Sequence, residues 1–538
     1  MASPTRALSN RQIARAALVV LFGFLTSGLL GLVRTAVITA TFGAGEALDA
    51  FYAAQRIPEM LFVLVAGGAL GSSFLPVFAR LRAGEDDAPA WRLASAALTL
   101  TTLAAGGLAL LIGLLAPWAV PALLVPGKPE AVQALTLSLT QLMLATTVVF
   151  SASGLLMAVL NAHQSFLLPA LAPSLYNIGQ IVGALILTRL LPPLTVGDQT
   201  GPNVYGLALG AILGALLHLG VQLPGLRKIG ARLRFLADWR TPGVAEVLRL
   251  MGPRVLGLAV VQINFAVNVA FSSAMAAGSL TALNTAWFLT FFALGVIGQS
   301  IGSAVFPSLS ALAAEGDLEG FKDRLAGALR GALYLAFPAT VGLILLGGPV
   351  VTVLFERGAW TPESTAATAW ALAFYAAGIP GFALLEVLSR AFYALADTWT
   401  PVRIGLLAMV SNIALSLVFI QIIGDPASLA RGPFAGLALA NALTTLLEGL
   451  ALWWLLRRRL GDLRDARVIA GAGRAALAAA GMGAALLAIL AALSQAGGLA
   501  QVVIGGGAGL AAFFGLSLAL GIDEARSVPQ MALRRLRR

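Results

Sequence analysis

The chain has 538 residues, of which 59% are hydrophobic and 11% charged, with 59 glycines and no cysteine. That balance excludes a soluble globular protein, and the lack of cysteine excludes disulfides, a thiol nucleophile and a cysteine-ligated metal. The formal charge of +11 would suit nucleic acid, but the basic residues cluster in alternate gaps between long apolar runs, so no nucleic-acid partner is expected.

Apolar runs of about 20 residues recur from end to end, enough for about fourteen spanning segments. They fall near 13–42, 48–80, 92–118, 131–160, 166–189, 203–225, 244–275, 279–313, 325–347, 365–392, 401–423, 432–456, 471–494 and 499–522. The fold class expected is therefore an all-α polytopic membrane protein. Arg6, Arg11 and Arg15 precede the first segment, which continues through a long helix without a clear cleavage site. Further basic clusters lie at 80–92, 227–240, 322–330, 457–474 and 526–538, whereas the opposite gaps offer little beyond Lys128, Arg189, Arg357 and Arg431. About 28 basic residues against about four read as both termini cytoplasmic.

The chain also repeats itself. Gly67 to Pro76, running on to Leu81, Ala83 and Asp86, matches Gly298 to Pro307, running on to Leu312, Ala314 and Asp317. An even number of segments separates the copies, so both share one orientation, as in a two-lobed transporter with its site between parallel repeats. The expected division is an N-terminal lobe at 1–225, a cytoplasmic interfacial linker at 226–243, a C-terminal lobe at 244–456, and the last two segments with a basic tail at 457–538. In the linker Leu226, Ile229, Leu233 and Leu236 recur among basic residues, which suits a segment lying on anionic inner-leaflet lipids. No charged residue falls between Ala475 and Ile522, so the last two helices are expected to form a lipid-facing appendage.

Charges inside the segments are the natural candidates for function. Arg34 lies in the first, and Asp49 and Arg56 lie seven residues apart on one face of the second, with Glu59 placed to pair with Arg56. Nothing charged occurs from Val255 to Ala314. There Asn264 and Asn268 share a face, and interhelical hydrogen bonding is their more frequent role. Arg254, after Gly252-Pro253, is the candidate cation of the second lobe, while Glu386 and Arg390 form a structural pair. An acid-coordinated sodium site on helices seven and eight is not supported. His163 and His218 are far apart, no catalytic constellation converges, and neither a metal, a cofactor nor an enzymatic activity is expected.

The stretch Leu30-Gly31-Leu32-Val33-Arg34, followed by Phe42-Gly43-Ala44-Gly45, Asp49-Ala50-Phe51 and Arg56-Ile57-Pro58, resembles the start of the MurJ (MviN) family of lipid II flippases. These belong to the multidrug/oligosaccharidyl-lipid/polysaccharide exporter superfamily. Further matches are Phe74-Leu75-Pro76-Val77, Ala172-Pro173-Ser174-Leu175-Tyr176-Asn177, Met251-Gly252-Pro253, Phe306-Pro307-Ser308, Leu354-Phe355-Glu356-Arg357-Gly358 and Arg390 to Pro401. The resemblance runs from about residue 15 to 520. It implies two six-helix lobes plus two C-terminal helices, a cationic central cavity, and movement of an undecaprenyl-pyrophosphate-linked glycan from the inner to the outer leaflet by alternating access. On that reading the substrate contacts are Arg34, Asp49, Arg56, Arg254, Asn264 and Asn268, the protein is a monomer, and cell-wall synthesis proteins are candidate partners.

Departures from the family pattern are concentrated in the charges. Where relatives read Ser-Arg-x-x-Gly-x-x-Arg-Asp, this chain has Ser27-Gly28 and Arg34-Thr35; an Arg-Arg pair is replaced by Phe62-Val63, and Ala-Asp-Arg by Ala286-Trp287-Phe288. The alternative readings are an exporter of another lipid or amphiphile and a non-transporting partner of the cell-wall machinery.

Overall fold

In hydrocarbon each backbone N–H and C=O must find its partner within the chain, and the helix is the simplest way to achieve it. The computed structural model describes residues 10–526 apart from 67, 85, 198 and 296–299. Its helices, in order, begin with α1 (Asn10–Phe42), α2 (Glu46–Leu61), α3 (Gly68–Arg82), α4 (Ala88–Ala119), α5 (Glu130–Ala162), α6 (Leu167–Val182), the single turn α7 (Thr188–Leu190), α8 (Tyr205–Gly220), α9 (Leu223–Lys228) and α10 (Val244–Ser273). There follow α11 (Ser279–Leu294), α12 (Ser300–Glu315), α13 (Leu318–Phe355), α14 (Pro362–Ala377), α15 (Ile379–Ala394), α16 (Trp399–Ile422), α17 (Phe434–Leu460), α18 (Asp465–Ala492), the single turn α19 (Gly498–Ala500) and α20 (Gly506–Ala519). A two-stranded antiparallel ribbon, β1 (Leu194–Val196) and β2 (Gln199–Gly201), closes the turn before α8.

Among the described residues ten helices are long and apolar enough to cross a membrane, or up to twelve when each bent pair counts as one span. The two other expected segments, 48–80 and 279–313, are divided among α2/α3 and α11/α12. Both bends have local causes. Residues 244–273 turn by 52° between Gly252 and Gly257, where Pro253 removes a backbone donor, and α14 meets α15 at 44° beside Gly378 and Pro380.

The molecule comprises two compact units, residues 1–280 with 358–360, and residues 281–357 with 361–538. This division differs from the one expected at 244. That position marks the sequence repeat, whereas in packing α10 lies against α2 and α3 and contributes Val244, Val247 and Val269 to first-unit cores. Of the two repeat copies, Gly67, Gly298 and Gln299 lie outside the described residues.

Within the first unit α6 and α8 approach backbone to backbone. A β-carbon on Gly179 would stand 2.2 Å from Gly214 Cα, and one on Gly183 would stand 2.6 Å from Gly210 Cα. The four-residue spacing of these glycines on both helices places them along one seam, the close packing that van der Waals contact favours in lipid. At one end of the unit, His163 stacks on Trp91 with ring centroids 5.4 Å apart, Trp91 Nε1 donates to Asp87 at 3.0 Å, and Arg82 donates to the Ala162 carbonyl at 2.9 Å. These contacts bind the ends of α3, α4 and α5.

The linker keeps its apolar face toward the core but does not form one continuous element. Gly230, at φ +66°, ends α9 with paired capping bonds, Ala231 N to Leu226 O at 3.0 Å and Gly230 N to Arg227 O at 3.1 Å. Residues 231–238 then run extended along α4. Ser95 and Thr99, one turn apart on α4, accept the N–H groups of Arg234 at 3.1 Å and Leu236 at 3.0 Å. Leu226, Ile229, Leu233 and Leu236 still face the core, but the regular structure carrying them changes at Gly230.

In the second unit, α13 is the central helix, packed on α14, α15 and α18. α18 and α20 cover it through Met482, Leu486 and Phe513, and Arg330 bonds Glu524 at 2.8 Å. The basic run 457–467 is substantially paired. Arg464 reaches Glu319 at 2.8 Å and Asp323 at 2.7 Å, Arg457 reaches Asp465 at 2.9 Å, and Arg459 reaches Asp397 at 3.2 Å.

Two outcomes are expected. Gly210→Val should lower the melting temperature of the detergent-purified protein by several degrees, because it forces α6 and α8 apart, while Gly507→Ala, which meets nothing within 4 Å, should leave it unchanged or raise it slightly. Burial holds His163 below the ordinary histidine range, outweighing its bond to Val159. A group depressed on folding contributes fully above its unfolded value, about 6.5, and loses that contribution as pH falls through its folded value. Melting curves between about pH 8 and pH 5 should therefore show a steeper acid loss for the wild type than for His163→Phe, which keeps the stack.

Candidate substrate-facing site

All six residues singled out from the sequence belong to the first unit, on α1, α2 and α10. Arg34 projects from α1 toward α6, where its Nη1 donates to Asn177 Oδ1 at 3.1 Å. Asn177 in turn donates through Nδ2 to the Ser27 carbonyl at 3.1 Å, so its amide orientation is fixed from both ends. Arg34 Nε is buried without a hydrogen-bond partner. Beside this contact Tyr176 Oη accepts from Gln180 Nε2 at 2.6 Å and from Gln55 Nε2 at 3.5 Å. Arg34 thus stands in a polar seam built by α1, α2 and α6.

Arg56 sits seven residues beyond Asp49 on α2. Its Nη1 is 3.2 Å from Glu59 Oε2, and its guanidinium lies 4.9 Å from the Phe265 ring centre on α10. The side chain is 12% exposed, against 47% for Glu59, and Nε again lacks a partner. A cation against an aromatic face, with one nitrogen unspent, is held firmly yet keeps capacity for an anion.

Asp49 is 5% exposed and accepts the Gly278 N–H at 2.7 Å. Gly278 adopts φ +91° and abuts Ala44, whose carbonyl oxygen would stand 2.9 Å from a β-carbon there. Lys128 donates to the Met275 carbonyl at 3.2 Å. An acid and a base from α2 and the α4–α5 turn therefore bind the turn that follows α10. Arg254, near the other end of α10, donates to Ser73 Oγ on α3 at 2.9 Å.

Asn264 and Asn268 do not use their carbonyl oxygens for the interhelical bonds expected of them. Both Oδ1 atoms, like Gln262 Oε1 on the same helix, are buried with no partner among the described residues. Buried acceptors left open in this way are uncommon and mark α10 as a surface with unspent polar capacity.

Sequence reasoning missed Asn177 and Tyr176 as members of the site, although both stand in the Ala172–Asn177 motif. An uncharged amide gives no intramembrane signal as strong as a charge does. It also missed Glu448, a carboxylate in the middle of the twelfth segment that was visible as such.

The family model described as lipid II flippase MurJ matches residues 38–505. The chain belongs to the MurJ family. A probable lipid II flippase MurJ of Vibrio cholerae is 33% identical over 452 residues, covering 82% of each chain. The lipid II flippase MurJ of Burkholderia cenocepacia is 33% identical over 453 residues, covering 82% of this chain and 84% of its own. A probable lipid II flippase MurJ of Bdellovibrio bacteriovorus is 30% identical over 524 residues and 96% of both chains. Among solved structures, lipid II flippase MurJ in an inward closed conformation superposes with a TM-score of 0.74 at 23% identity, covering 93% of this chain and 98% of its own. An inward-facing multidrug resistance MATE family transporter superposes at 0.66 and 15% identity. These likenesses establish the MurJ-type helical fold and place the protein among multi-pass transporters of the inner membrane.

The Asp49 contact makes a direct prediction. Asp49→Ala leaves the Gly278 N–H buried and unmet, an effect of about 1–3 kcal/mol, and should lower the melting temperature more than Asp49→Asn, which retains an acceptor. Gly278→Ala should be at least as damaging, since it adds strain at positive φ to the contact with Ala44.

Proposed function

We infer that this chain is a lipid II flippase that moves a polyprenyl-pyrophosphate glycan from the inner to the outer leaflet by alternating access. Membership of the MurJ family carries the substrate class. The observation that carries the site is the pair of embedded guanidiniums, Arg34 oriented by the Asn177 amide and Arg56 by Glu59 and the Phe265 ring, each with an unspent buried nitrogen. A pyrophosphate entering hydrocarbon needs such fixed positive donors to offset its desolvation. In this reading Arg34 and Arg56 receive the phosphates, Arg254 adds a third cation, Asn264 and Asn268 meet polar groups of the head, and Asp49 fixes the end of α10. Residues 1–225 and 244–456 are the two transport lobes. The missing family charges mean that fewer cations share the work than in most relatives.

Both termini are cytoplasmic in this proposal, and the 231–240 strap rests on anionic inner-leaflet lipids. Support for that contact comes from Arg232, Arg234 and Arg240 alternating with Phe235 and Trp239, which are 81% and 68% exposed. The protein acts as a monomer beside the cell-wall synthesis proteins.

Expression in a bacterium depleted of its own lipid II flippase tests the reading, with membrane levels checked by immunoblot. The wild type should restore growth, Arg34→Ala and Arg56→Ala should each fail at equal membrane levels, and Arg34→Lys should rescue partially because a point charge replaces a planar fork. Rescue by Arg34→Ala together with Arg56→Ala would overturn the roles assigned to these two residues.

A further inference from the structure

Glu448 lies fourteen residues from the start and twelve from the end of α17 (Phe434–Leu460), about 21 Å and 18 Å along the helix. That is mid-membrane for a span of this length. Its Oε1 lies 3.3 Å from the point a β-carbon at Gly405 would occupy on α16, so the facing helix gives way at that level. One turn earlier Thr444 donates to the Ala440 carbonyl at 2.7 Å and Thr445 to the Asn441 carbonyl at 2.8 Å. Both hydroxyl protons are therefore spent on their own helix. Among the described residues neither a hydrogen bond nor an ion pair engages the Glu448 carboxylate.

The charges around it can be named helix by helix, since α17 packs on α14, α15 and α16. α15 brings Glu386, Arg390 and Tyr393, with Arg390 Nη2 bonded to Glu386 Oε1 at 2.5 Å. α16 brings Arg403, which is exposed, and α14 has Glu363 in its first turn and Tyr375. The local inventory is thus two carboxylates and one embedded guanidinium, already taken by Glu386. Ionised, Glu448 would be an uncompensated charge in hydrocarbon, which is far more expensive than binding a proton.

We propose that Glu448 is a proton-binding site inside the membrane, through which the second unit responds to proton concentration. The neutral carboxyl is the resting form. Release yields one carboxylate and one proton, and uptake reverses it. This inference goes beyond the flippase reading and does not require it.

Dicyclohexylcarbodiimide tests it on the full-length protein in lipid nanodiscs. The reagent takes the proton of a carboxyl group in an apolar setting, the carboxylate oxygen adds to its central carbon, and the adduct rearranges to a stable N-acylurea with no group lost. Peptide mass spectrometry should find the adduct on Glu448, at least about tenfold more at pH 6 than at pH 9. It should be absent from Glu448→Gln, whose elution as a monodisperse peak shows that it folds. Infrared difference spectra between the same pH values should show a protonated-carboxyl band that Glu448→Gln lacks. The proposal is overturned by the absence of both adduct and band at pH 6, by labelling independent of pH, or by labelling that sodium chloride suppresses and choline chloride does not, which would make the site one for a metal cation. Failure of the growth rescue with Glu448 still labelling would remove the transport reading and leave the proton site standing.

Discussion

The absence of water from the bilayer core governs this molecule. It makes each backbone polar group close its bonds within a helix, and it raises the cost of an embedded charge until that charge is paired, stacked or neutralised. Arg34 takes an amide oxygen, Arg56 takes a carboxylate and an aromatic face, and Asp49 takes a backbone amide. Each solution also fixes a side chain in space, so tolerating charge in lipid and orienting a side chain are here the same act.

The same constraint explains why much of the chain was legible from composition and spacing. Apolar runs located most of the spans, since a bilayer core of about 30 Å leaves little choice of minimum length, although 48–80 and 279–313 are each divided between two helices. The charges led directly to Arg34, Asp49 and Arg56. What could not be read was the neighbour that each charge would choose. Arg34 meets Asn177, 143 residues away, and Arg254 meets Ser73 across 181. Such contacts depend on which helices pack, and periodicity carries no information about that choice.

Two local patterns came out in ways that spacing alone did not show. Leucines spaced three and four apart suggested a continuous amphipathic linker, but Gly230 permits a left-handed turn and α4 offers two hydroxyls that an extended chain can use. Asn264 and Asn268 were expected to bond across helices. Their oxygens are instead buried with no partner among the described residues. In the linker a local sequence rule gave way to partners supplied from far along the chain.

The hydroxyls of Ser95 and Thr99 have a mechanical consequence. Because they hold amides two residues apart at fixed positions on α4, the 231–238 strap cannot creep along that helix without breaking both bonds together. Arg80, bonded to Glu246 with its Nη1 at 3.0 Å, adds a fixing point on the first turn of α10. The linker is therefore not slack rope. It is a splint that makes the root of α10 travel with α3 and α4, so any flexing of α10 during a transport cycle is concentrated at the Gly252–Gly257 bend.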